Sequence, residues 1–126
     1  MSYVQRQTIA VVTAADGSAT AYSAPVTGKI STVRYVKPGS GGFDDGSTIT
    51  LTAEATGETI WTEASVNASA TRAPRQPTHS SAGAAALYAA AGAAVNEQIA
   101  IVSDRIKIVI AAGGNAKSAT FYITLE

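Results

Sequence analysis

The sequence predicts an all-β fold: an antiparallel β-sandwich or jelly-roll-like domain of seven to nine short strands with long loops. Three observations carry that prediction. Segments rich in Val, Ile and Thr alternate apolar and polar residues with period two. Turn signals built from Gly, Pro, Asp and Asn recur every eight to twelve residues or so. Near the end of the chain, two alternating runs flank a glycine-rich turn, as paired antiparallel strands do.

Tyr3 to Thr13 is strand-like, with imperfect alternation. Asp16-Gly17 is a hairpin-turn dipeptide, and Ala19 to Ser23 reads as the returning strand. Lys29 to Lys37 places Val33 and Tyr35 on one face and Ile30 and Val36 on the other. Apolar residues on both faces predict a central or interfacial strand. Pro38 to Ser47 holds four glycines and a proline and is a loop, with Phe43 its lone aromatic. Thr48 to Ala55 alternates most cleanly, with Ile49, Leu51, Ala53 and Ala55 inward. Glu58 to Ala64 returns from it, so 48–64 reads as a hairpin. Residues 65–83 lack periodicity and form a long loop or arm. Long ordered loops are usually functional or interfacial. Ala84 to Ala91 divides between a short helix and an irregular strand, because Gly83 and Gly92 limit any helix to about two turns. Ile99 to Val102 is a short strand, followed by a turn at Ser103-Asp104. Arg105 to Leu125 then reads as one closing hairpin, with Ile106, Ile108 and Ile110 the apolar face of its first strand and Ala119, Phe121, Ile123 and Leu125 that of its second, both assigned to the core.

Length sets one domain, 1–126, in which 1–27 is an N-terminal strand or a docking arm. A chain of 126 residues can bury about two-thirds of its unfolded surface, so it needs no disulfide or metal staple. The absence of cysteine removes disulfides, thiolate metal sites and cysteine nucleophiles together. Nine basic residues balance nine acidic ones, which gives no basic footprint for nucleic acid. Only 14% of residues are charged, against the usual quarter or so, and near-zero net charge favours association. The N-terminus lacks a signal-peptide plan. The uncharged run 82–95 falls short of the roughly 20 residues a membrane helix needs. The expectation is a soluble protein.

Each chemical motif has a plainer account. His79 is the single histidine, but it sits in a Pro-containing loop and no G-x-S-x-G elbow accompanies it. Asp44-Asp45-Gly46-Ser47 lacks the alternating ligands and the terminal Glu of a calcium loop, and suits a solvated turn. Glu54, Glu58 and Glu63 share one hairpin, where a solvated outer face explains them without glycoside chemistry. The glycine runs lack phosphate-loop spacing. Trp61, Phe43 and the tyrosines could stack on sugars, yet a Trp in a strand is most simply packing. Arg72 and Arg75 are the most suggestive pair, since arginine is enriched at protein interfaces. Two solvated charges are the alternative. No catalytic, cofactor or metal residues are assigned.

Three stretches, GKISTVRYVKPGSGGFDDG, APRQPTHSSAGAAALYAAAG and RIKIVIAAGGNAKSATFYITL, give the chain from about Gly28 to Leu125 a resemblance. It resembles small virion proteins encoded among the head genes of tailed bacteriophages. The resemblance implies a non-enzymatic structural role, as a capsid decoration (cement) protein or a head–tail component, and brings no catalytic residues or cofactor with it. The implied partners are the major capsid protein and copies of the chain itself, as a dimer or trimer, with no nucleic acid or membrane. The implied location is the virion. Arg72, Arg75, His79 and Phe43 are the expected partner contacts. A neck or tail component and a carbohydrate-binding module remain the alternatives.

Overall fold

The computed structural model describes residues 4–126, so Tyr3, the expected start of the first strand, lies outside the described residues. Ten strands follow in chain order: β1 (Gln5–Val12), β2 (Ala19–Tyr22), β3 (Val26–Val36), β4 (Thr48–Ala53), β5 (Thr59–Ala64), β6 (Ala70–Arg72), β7 (Arg75–Pro77), β8 (Asn96–Asp104), β9 (Ile106–Ala111) and β10 (Ser118–Leu125). One sheet runs β1-β10-β3-β8-β7, with β6 also paired to β3. The other runs β2-β9-β4-β5. Every strand pair is antiparallel, as the sequence predicts.

Period-two patterning builds the core. The first sheet turns Ile9, Val11, Val33, Tyr35, Phe121, Ile123 and Leu125 inward. The second turns in Ile49, Leu51, Ile106, Ile108 and Ile110, and all of these are buried. Fully burying one such side chain stabilises the fold by about 1.5–3 kcal/mol. The expected hairpin at 48–64 forms: β4 pairs β5 from Thr48↔Ala64 onward.

The closing segment is not a hairpin. β9 pairs β2 and β4 in one sheet, while β10 pairs β1 and β3 in the other. Their apolar faces belong to opposite sheets, and the link between them passes from one sheet to the other. Asp16-Gly17 behaves in the same way, joining β1 in the first sheet to β2 in the second. Alternation specifies which side chains face the core. It does not specify which strand lies alongside, and both links are long enough to arch across the edge of the core. Residues 5–22 therefore supply one strand to each sheet.

The two arches interlock. Gly113 N–H donates to Gly17 O at 2.9 Å and Asp44 N–H to Gly113 O at 2.9 Å. Gly17 has φ +84°, and a Cβ there would stand 2.9 Å from the Gly114 nitrogen, so this position requires glycine.

Two bulges correct the expected facing of strands. In β3, Thr32 pairs Thr124 but Ile30 pairs Leu125, which leaves Ser31 as the extra residue. The parity change puts Ile30 on the same buried side as Val33 and Tyr35, rather than opposite them. In β5, Trp61 pairs Leu51 and Thr59 pairs Thr52, so consecutive Ile60 and Trp61 are both buried.

Candidate functional site

The arm between β5 and β8 is where the chain departs from sandwich geometry. β6 pairs β3 from Val33↔Arg72 to Tyr35↔Ala70. β7 pairs β8 from Arg75↔Gln98 to Pro77↔Asn96. Residues 78–95 leave that last pair and return to it as a folded flap. Ala84 to Ala91 is neither helix nor regular strand but part of a ribbon of tight turns with isolated bridges His79↔Ala85 and Leu87↔Ala94. Thr78 N–H donates to Val95 O at 2.8 Å, Val95 N–H to Ala86 O at 2.9 Å, and Tyr88 N–H to Ala93 O at 3.1 Å. Backbone hydrogen bonds hold the flap together, because its small side chains offer little to pack.

The flap carries no charged residue from Gln76 to Asn96, and His79 and Tyr88 are its titratable side chains. Leu87 is 44% exposed and Tyr88 76%, beside a run of exposed alanines. No residue of the flap belongs to the buried core. An ordered, uncharged, apolar segment held outside the core is chemically suited to docking on another surface.

The four expected contact residues have separate places. Arg72 lies on β6 of the first sheet and forms a two-point ion pair with Glu63 on β5, the edge strand of the second. Nε donates to Oε1 and Nη2 to Oε2, each at 2.9 Å. The Trp61 indole N–H donates to the same Glu63 Oε1 at 3.2 Å. This clasp joins the two sheets, and the Arg72 hydrogen bond holds the Glu63 carboxyl below its ordinary range, with the Trp61 bond adding to the effect. Glu63 therefore bridges sheets rather than standing on a solvated outer face. Arg75 donates through Nη1 to the carbonyls of Ser31 at 3.0 Å and Pro74 at 2.8 Å, and thereby pins the bulge of β3. Phe43, expected at a partner surface, is 1% exposed and stacks on Tyr35 with ring centroids 5.9 Å apart, so it is a core residue. His79 alone sits on the flap and is exposed.

Other motifs resolve simply. Asp45 pairs with Lys37 at 3.5 Å, and Gly46 N–H donates to Asn67 Oδ1 at 2.8 Å, as in a structural turn. Trp61 is 8% exposed and offers no open ring face for sugar stacking. Among the described residues no group of three or more His, Cys, Asp or Glu could hold a metal ion, and no helix is long and apolar enough to cross a membrane. Sequence reasoning missed the flap as a unit. Its signal was the charge-free stretch 76–96 bounded by Arg75 and Glu97.

No protein-family model matches the chain, and no curated protein matches it. Among solved structures, one described as the crystal structure of FLHE is similar with a TM-score of 0.47 at 12% identity, covering 99% of this chain and 99% of that one. A likeness at that level carries no argument about function.

Proposed function

We propose that this chain is a non-enzymatic structural protein of a bacteriophage virion, a capsid decoration protein that seats on the major capsid protein shell. The observation that carries the reading is the flap: eighteen ordered residues, uncharged and outward-facing, projected from a rigid β body. The resemblance of the Gly28 to Leu125 segment to phage head-gene products supports the same reading. Decoration multiplies a modest affinity per site when each copy, or each dimer or trimer, bridges several shell subunits.

The test is copy number and location in the particle. Quantitative mass spectrometry should find the chain near-stoichiometric with the major capsid protein, and cryo-EM should place it on the shell. Heads lacking it should rebind the wild-type chain but not one in which 78–95 is replaced by Asn-Gly. A few copies per particle would instead assign it to the neck or tail.

A further inference from the structure

We infer that the outer face of the six-stranded sheet carries a second docking element, a carboxylate-binding hollow between Arg6 and Arg34. The hollow has a volume of about 420 Å³ and is lined by Arg6, Thr32, Arg34, Thr71, Tyr122 and Thr124. Strand register brings these residues together. Arg6 stands opposite Thr124, which stands opposite Thr32. Tyr122 stands opposite Arg34, which stands opposite Thr71.

Both guanidinium groups are aimed by the protein. The Arg6 guanidinium carbon lies 5.4 Å from the centre of the Tyr122 ring, a cation–π contact. Arg34 is the cross-strand neighbour of that same tyrosine and is steadied by donating through Nη1 to Thr71 Oγ1 at 2.8 Å. Two positive groups thus flank one phenol ring, and among the described residues no Asp or Glu lines the hollow. Glu126, two residues beyond Thr124, accepts a hydrogen bond from Gln98 Nε2 at 2.7 Å.

The remaining charges sharpen the contrast. Arg72, Arg105 and Lys37 each have a carboxylate partner, in Glu63, Glu54 and Asp45. Among the described residues Arg6 and Arg34 have none, as Lys29, Arg75, Lys107 and Lys117 have none, but Arg6 and Arg34 are the two that line one hollow together, which places two positive groups side by side on a chain whose net charge is zero. An incoming carboxylate can take both guanidiniums, whose planar donors match its oxygens, while the threonine hydroxyls satisfy what remains. The hollow opens on a sheet face rather than in a deep cleft, so its occupant is an acidic side chain on a partner protein's surface. This choice of occupant rests on the docking role proposed above, but the hollow can be probed without any particle.

Nuclear magnetic resonance of the full chain, titrated separately with hexaglutamate, hexaglutamine and inorganic phosphate, tests it. Hexaglutamate should move the amide signals of Thr32, Thr71, Tyr122 and Thr124 and the side-chain signals of Arg6 and Arg34. Binding should weaken as salt is raised and fall roughly tenfold in R6Q/R34Q. The single variants R6Q and R34Q, each checked for a native spectrum, should fall between. Absence of localised shifts, or equal shifts with hexaglutamine, would remove the site. Shifts with phosphate alone would overturn the peptide occupant in favour of a small free anion. None of these outcomes alters the virion copy number, so the two proposals fail separately.

Discussion

Thr13 and Lys117 hold each other twice. Thr13 N–H donates to Lys117 O at 2.8 Å, and Lys117 N–H donates to Thr13 Oγ1, also at 2.8 Å. The same hydroxyl donates to Gly114 O. Thr13 is 4% exposed, so one side chain ties the β1–β2 arch to the β9–β10 arch where water cannot substitute. Replacing Thr13 with Val keeps the shape but leaves buried backbone groups unpaired. T13V should cost about 1–3 kcal/mol in urea denaturation, and T13S should recover most of it.

Tyr35 presents the opposite case. Its ring is 0% exposed between Phe43 and Phe121, and among the described residues its hydroxyl has no hydrogen-bond partner. Y35F should therefore stabilise the fold by about 1 kcal/mol. Burial also raises the Tyr35 pKa. Above about pH 10 the unfolded chain releases this proton while the folded chain keeps it. The folded state then binds more protons, and stability falls with rising pH. Alkaline thermal melts should show a steeper loss for wild type than for Y35F.

The Glu63–Arg72 clasp predicts an acid limb. Glu63 has a lowered pKa, chiefly through its hydrogen bond from Arg72. Its contribution is present above the ordinary glutamate value of about 4.3 and is lost as pH falls through the lower folded value. E63Q should be less stable than wild type at neutral pH, and the difference should shrink as the pH approaches that folded value. Both side chains are partly exposed, so the gap at neutral pH should be small and should narrow further in high salt.

Arg75 tests whether the arm is held by its bulge contact. R75A removes the donors to Ser31 O and Pro74 O. Amide exchange in β7 and the adjoining part of β8 should accelerate roughly tenfold, while β4 and β9 in the other sheet stay protected. L87S/Y88S should leave exchange throughout the sandwich unchanged, because those side chains belong to the flap.

Alternation in Thr48 to Ala53, Ile106 to Ala111 and Ser118 to Leu125 made the inward faces and the all-β class legible in the sequence. Partner choice was not legible. The glycine-rich link at 112–117 looks like a hairpin turn, yet it carries the chain across the core, because local turn residues permit either course. The bulge at Ser31 was hidden for a related reason: one extra residue reverses parity without leaving a compositional mark. Arg72 stood out as a charged residue in a polar arm, but its role depends on Glu63, nine positions earlier, sitting at the edge of the other sheet. Phe43 misled because a lone aromatic in a glycine loop reads as surface, whereas the loop folds it back onto Tyr35.

The pairing Pro77↔Asn96 means that the flap enters and leaves the sheet at one rung of a single ladder. Its two ends are held as neighbours whatever lies between them. The segment is therefore a cassette: it can be lengthened, shortened or exchanged without moving a strand. A body of this kind lets the flap's sequence vary while the residues that make it fold stay the same.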